Sequence, residues 1–221
     1  LEARLTALED GAMCVALSSG TSAVMYSLIN IMSQGDNFVA ANQLYGGTYT
    51  MFDNILPEYG IDAKKVDITD LKAVEDNIDD KTRAIYCETV TNPGLIVADV
   101  TALSEIAHKH GIPLIVDATF TTSAIQKSFD FGADIVVYSL TKWMSGHGRV
   151  IAGAVIEKGG FDHFMLKEIH EQPKAIMDTY RGRLIASKGK IKMGSVDNNI
   201  GKFLNANRII IVACGTSWHA G

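Results

Sequence analysis

Between residues 13 and 156 the chain repeats one unit: a short, mostly apolar run, a polar or glycine-rich break, then an amphipathic stretch. Apolar runs at 13–17, 38–41, 65–68, 83–88, 112–116, 134–140 and 150–156 predict strands. Between them, Val24, Met25, Leu28, Ile29 and Met32 fall at helical spacing, and helical patterns recur from Tyr45 to about Leu56, over 70–78 and over 100–110. Strands that alternate with helices and are apolar on both faces predict an α/β fold, with a largely parallel sheet buried between flanking helices. In such sheets ligands bind beyond the carboxyl ends of the strands, so the residues that follow each run are the ones to read for chemistry.

The chain has 221 residues, enough to bury a real core, and its 47% hydrophobic and 20% charged composition is that of a globular protein. No apolar run reaches the length of a membrane span and the first residues lack a signal-peptide layout, so a cytoplasmic protein without a membrane partner is expected. Cys14, Cys87 and Cys214 are odd in number and lie in apolar runs, which predicts reduced core thiols. The six histidines have no metal-ligand spacing, and no metal is expected; His108 and His110, near a helix end, are expected to be solvated. A net charge of −5 gives no reason to expect nucleic acid. Through Phe161 there are 11 basic against 20 acidic residues, and from Asp162 onward 9 against 5. That reversal marks a candidate boundary between domains 1–161 and 162–221.

Ser139-Leu140-Thr141-Lys142-Trp143 follows the run 135–138 and precedes Gly146-His147-Gly148. A lysine there is either a plain strand end or, if partly buried, an amine of lowered pKa able to attack a carbonyl carbon. Ser19-Gly20-Thr21 closes a strand and opens a helix, as a simple cap or as a phosphate site. Asp117 is the charge that ends the run 113–116; it needs a hydrogen-bonded or cationic partner, and a pyridinium nitrogen would serve. Tyr45 precedes two glycines and reads as a core tyrosine or as a ring stacked on a ligand. Asn92-Pro93 is a turn, or places an amide donor near a phenolic oxygen.

Together SSGTSA (18–23), QLYGGTYTMF (43–52), ETVTNP (88–93), PLIVDATF (113–120) and FGADIVVYSLTKWMSGHG (131–148) resemble the Cys/Met-metabolism family of pyridoxal-phosphate enzymes. The resemblance runs from residue 1 to about Phe161 and implies the fold type I large domain of those enzymes. It implies that Lys142 forms the imine with the cofactor and shuttles protons, with Tyr45 sharing the catalytic role by stacking on the ring. It also implies that Asp117 holds the pyridine nitrogen, that Asn92 contacts the phenolic oxygen, and that Gly20, Thr21, Ser139 and Thr141 hold the phosphate. SLTKW with GHG is most similar to the O-acetylhomoserine sulfhydrylases, which implies replacement of acetate by sulfide or a thiol on an amino-acid substrate, in a homo-oligomer. A cystathionine γ-synthase or a γ-lyase is the neighbouring alternative.

Residues 163–184 and 207–221 resemble instead the inter-domain segment and first strand of the sugar-isomerase domain of glucosamine-6-phosphate synthase (glutamine–fructose-6-phosphate aminotransferase). On that resemblance Cys214, Gly215, Thr216 and Ser217 form a sugar-phosphate turn, at the start of a short α/β fragment. The expectation is therefore a chimera whose first part is truncated at both ends, with slow or absent turnover. A fragment of the sugar-phosphate aminotransferase and a catalytically silent chain are the alternatives. Arg149, after GHG, stands where the Cys/Met-metabolism family usually carries a small residue.

Overall fold

A computed structural model describes residues 1–158, together with the backbone of 184–185 and 190–191. The predicted runs become seven strands: β1 (Met13–Leu17), β2 (Asn37–Ala41), β3 (Asp62–Val66), β4 (Thr82–Glu88), β5 (Leu114–Asp117), β6 (Ile135–Ser139) and β7 (Gly153–Glu157). They form one sheet in the order β1-β7-β6-β5-β4-β2-β3. β3, β2, β4, β5 and β6 run parallel, and β7 pairs antiparallel with both β6 and β1. The sheet is thus mostly parallel, and β1 points the same way as β6. Its carboxyl edge gathers the ends of β1, β2, β4, β5 and β6.

The helices are α1 (Glu2–Glu9), α2 (Gly20–Ile29), α3 (Gly46–Thr50), α4 (Leu71–Asp76), α5 (Val100–Lys109) and α6 (Thr122–Ile125). Three start on a side-chain cap of the expected type: Ser19, Asp70 and Asp99 each accept the N–H three residues on, at 3.0 Å. α3 continues as a widened turn over Met51–Ile55 and a tight turn over Leu56–Tyr59. Pro57 occupies the first turn of that last piece, where its missing N–H removes no bond, so the chain passes the expected stop and turns at Gly60.

Two predictions are corrected here. The strand expected at 65–68 lies at Asp62–Val66, because its register on β2, from Asn37↔Asp62 to Ala41↔Val66, ends it there. Ile68 is buried in the turn beyond. As the sheet edge, β3 tolerates Lys64 and Lys65, which pair with Asp79 and Asp53. The histidines are not simply solvated: His108 Nε2 meets Asp134 and His110 Nε2 meets Glu75, each at 2.9 Å on the surface.

The core lies between sheet and helices. Every residue of β2 is buried, and Phe38 of β2, Phe52 and Tyr86 of β4 make two edge-to-face contacts with ring centroids 4.8 and 5.1 Å apart. Burying a side chain such as Phe52 contributes roughly 2–3 kcal/mol, and here it fixes the stretch after α3 onto the sheet below Tyr45. Cys14 and Cys87 are buried free thiols. Desolvation pushes them up to about 11 and about 12, which leaves them protonated and unreactive. Among the described residues no helix is long and apolar enough to cross a membrane, and no group of His, Cys, Asp or Glu is placed to hold a metal.

The chain divides into two compact units, Leu1–Lys167 and Glu168–Gly221. In the second, β8 (Leu184–Ile185) and β9 (Lys190–Ile191) pair antiparallel, Leu184 opposite Ile191. The expected strand at 209–213 and the turn formed by Cys214, Gly215, Thr216 and Ser217 lie outside the described residues.

Candidate active site

A pocket of about 600 Å³ opens at the carboxyl edge of the sheet, and all eight candidate residues of the first unit line it: Gly20, Thr21, Tyr45, Asn92, Asp117, Ser139, Thr141 and Lys142. They are far apart in sequence and meet because each follows or ends a strand that points to this edge.

One end of the pocket is built around a glycine. A Cβ on Gly20 would stand 2.5 Å from Ser139 Cβ and 2.9 Å from Ser139 Oγ, so any larger residue would fill the space between the start of α2 and the end of β6. A Cβ on Gly153 would meet the Ser19 carbonyl oxygen at 2.1 Å, which sets the same loop hard against β7. The start of a ten-residue helix, whose first N–H groups have no partner within the helix, thus lies against Ser139 with no side chain of its own between them. Ser19 also caps that helix, as the cap reading expected. Thr141 is less free than expected. Its Oγ accepts the Ala152 N–H at 3.0 Å, and its own proton has Ala152 O at 3.3 Å, long for such a bond.

Asp117 sits on the pocket floor. Its Oδ1 accepts the Thr119 N–H at 2.9 Å, and the Tyr86 hydroxyl approaches Oδ2 at 3.4 Å. No cation among the described residues pairs with it. Desolvation raises its pKa above the usual carboxylate value, although these donors oppose the rise. Burial holds the Tyr86 phenol well above its ordinary value, so it stays a neutral donor. Lys142 faces the same cavity. It is exposed on the pocket wall and not partly buried, because the turn after β6 (Lys142 N–H to Ser139 O, 3.1 Å) carries it outward. Its amine makes no hydrogen bond or ion pair with the described residues.

Tyr45 is half exposed with its ring against the pocket, and a Cβ on Gly47 would lie 2.7 Å from its Cε1. The second glycine is what lets the ring fold back over its own backbone. Asn92 begins a cis peptide with Pro93, and its side-chain amide is unengaged among the described residues. The turn reading holds.

Two lining residues escaped the sequence reading. Thr119 donates its N–H to Asp117 and accepts the Ser139 N–H at 2.7 Å, tying the floor to the strand end. Glu88 ends β4, opposite Asp117 in register, and is buried. Desolvation, with the Asp117 charge beside it, pushes Glu88 up to about 7. A carboxylate whose partners are backbone amides has no side-chain pattern that would reveal it.

The model of the Cys/Met metabolism PLP-dependent enzyme family matches residues 1–217. The chain belongs to that family. It is 44% identical over 162 residues to homocysteine synthase of Schizosaccharomyces pombe, covering 73% of this chain and 38% of that protein. Against O-acetyl-L-homoserine sulfhydrylase of Leptospira meyeri it is 43% identical over 162 residues, covering 73% and 37%. A structure assigned as O-acetylhomoserine (thiol)-lyase of Campylobacter jejuni, solved with N'-pyridoxyl-lysine-5'-monophosphate, superposes with a TM-score of 0.71 at 40% identity, over 72% of this chain and 39% of that one. The chain spans less than half the length of these relatives. The match across residues 163–217 extends the Cys/Met family over most of the stretch that resembles glucosamine-6-phosphate synthase, and nothing in the comparisons supports that second resemblance.

The family's cofactor is pyridoxal phosphate, and the pocket fits it. The cradle at Gly20 is one that a Cβ would fill; among the described residues Asp117 is desolvated with neutral partners alone, and Lys142 offers an unpaired amine on the same cavity.

Proposed function

We propose that this chain carries the cofactor site of an O-acetylhomoserine sulfhydrylase-like transferase of sulfur amino-acid metabolism. The observation that carries it is the convergence of Lys142, Asp117 and the Gly20–Ser139 cradle on one cavity. The first-turn N–H groups of α2 with the Ser139 and Thr141 hydroxyls would hold the phosphate, Asp117 the pyridine N–H, and Asn92 the phenolic oxygen. Tyr45 would lie against the ring. When bound, pyridoxal phosphate supplies an electron sink that stabilises negative charge on the substrate α-carbon. Lys142 Nζ, without a partner among the described residues, would take and return the protons at Cα and Cβ of the amino acid. The net exchange breaks the Cγ–O bond of O-acetylhomoserine and forms a Cγ–S bond, so that hydrogen sulfide enters and acetic acid leaves.

The test is homocysteine formation from O-acetylhomoserine and sulfide by the chain with added cofactor. Release of a keto acid and ammonia without homocysteine would point to the γ-lyase alternative, and an inert chain to the silent one. A cytoplasmic setting is supported by the buried, unpaired thiols Cys14 and Cys87. A domain boundary near 161 is supported by the change in charge balance, a few residues from the division of the compact units.

Self-association belongs to the same proposal. Trp143 in the pocket lining is exposed, with Phe120 edge-on to it at 6.3 Å, and Val150 and Ile151 are exposed a few residues further along the chain. Grouped apolar residues of this kind favour burial against another surface. Sedimentation equilibrium is expected to give a dimer or larger, and a well-behaved monomer would count against it.

A further inference from the structure

We propose that Glu88 is a positioning residue whose single carboxylate sets both Tyr45 and Asn92. Its Oε1 accepts the Tyr45 N–H at 2.6 Å and its Oε2 accepts the Asn92 N–H at 3.0 Å. The two amides belong to different loops, one after β2 and one after β4. Those loops also press together nearby: a Cβ on Gly94 would stand 1.7 Å from Gln43 Oε1. Glu88 itself is 5% exposed at the end of a buried strand, so its position is fixed by the sheet.

A carboxylate suits this place for a reason of valence. Two backbone donors approach, and a carboxylate alone among side chains of this length offers two acceptor oxygens. Glutamine offers one, and turns an NH₂ toward the second donor. Bonds from amides to a charged acceptor are also the shorter and stronger kind. The side chains at 45 and 92 line the pocket, one as an aromatic face and one as an amide donor. Their significance as a pair rests on the cofactor function proposed above; the clamp itself does not.

The charged and titratable groups around Glu88 are Asp117, Tyr86 and Cys87, whose ionised forms would oppose its charge, with Tyr45 beside it and Lys142 on the pocket wall. Burial and the Asp117 charge bring its ionisation to about 7. Above that point both oxygens accept; below it one oxygen carries a proton toward an N–H and a bond is lost. Tyr45 and Asn92 should therefore report one and the same ionisation from two loops.

The experiment follows amide chemical shifts of the ¹⁵N-labelled 221-residue chain without cofactor, between about pH 5 and pH 9. The Tyr45 and Asn92 amides are expected to shift with one shared midpoint. Unrelated midpoints, or no shift in either amide, overturn the clamp, and this needs no variant. In Glu88→Gln both shifts should vanish together. Added pyridoxal phosphate should bind that variant about ten-fold more weakly, as expected for loss of one charge-assisted bond, and with a displaced absorbance band. An unchanged dissociation constant and an unchanged band would overturn the positioning role. A wild-type chain that takes up no pyridoxal phosphate would refute the cofactor function, while the shared midpoint would still decide whether Glu88 holds the two loops.

Discussion

Lys142→Ala is expected to abolish covalent capture of pyridoxal phosphate by this chain. Lys142 is the one lysine among the described residues that lines the pocket. Most of the others are engaged elsewhere: Lys64 with Asp79, Lys65 with Asp53, Lys109 with Glu75 and Lys127 with Asp10. Borohydride reduction followed by peptide mapping should place the wild-type label on the peptide that contains Lys142, and the variant should carry none. Any turnover should fall on the order of 10³-fold, the scale on which a positioned acid–base group acts. The exposure of Lys142 makes the result interpretable, because surface replacements away from caps and buried networks usually change stability by less than about 0.5 kcal/mol. A label on a different lysine of the wild-type chain would remove Lys142 from the centre of the site.

The parts of the site legible in the sequence share one property: each is a polar residue placed where an apolar run stops. Asp117 and Lys142 stood out because charge at the end of a buried strand needs an explanation. Gly20 and Gly47 are glycines beside residues with chemistry, and the structure shows what each makes room for. Glu88 has the same placement but its role is not legible there, since its task is to receive N–H groups of residues far away in sequence. Thr119 was hidden for the same reason. The exposure of Lys142 was not legible either, because it depends on how the turn after β6 leaves the sheet. In the fold, the alternation gave the parallel layers, while β7 as an antiparallel strand between β6 and β1 depends on pairing that periodicity does not encode. The strand shifted to 62–66 shows the same limit, as its ends are set by register with β2 and not by its own apolar residues.

The layout of charge across the pocket follows from the register of β4 on β5. Glu88 and Asp117 are direct partners on adjacent parallel strands, so two carboxylates stand side by side at the floor. Neither has a cation among the described residues, and desolvation raises both. The positive ends of the site, the start of α2 and Lys142, lie on other elements. A ligand bearing a phosphate and a protonated ring nitrogen answers both sides at once, which is why binding should relieve strain that the empty carboxylates place on the fold.

That electrostatic strain predicts how the cofactor-free chain responds to pH: it should lose stability between about pH 5 and pH 7.5. Glu88 ionises near 4.5 when unfolded and near 7 in the fold. An acid whose folded value is raised binds its proton more tightly when folded, so its contribution is full below 4.5 and lost as pH rises through 7. The difference is worth at most roughly 3 kcal/mol, or about 10 °C in melting temperature for a domain of this size. Glu9 acts in the same direction: it is fully buried, with Oε1 accepting the Tyr138 hydroxyl at 2.6 Å. Desolvation raises it despite that bond. The carboxylates shifted the other way, Asp67, Glu75 and Asp79, lose their contribution as pH falls below the ordinary carboxylate range, outside this window. Urea unfolding at pH 5, 6 and 7.5 measures the slope, and Glu88→Gln should flatten most of it, leaving the share that belongs to Glu9 and Asp117. Stability that stays level or climbs across that interval would mean that Glu88 is not held as a desolvated acid, and that the two carboxylates are screened from each other at the pocket floor.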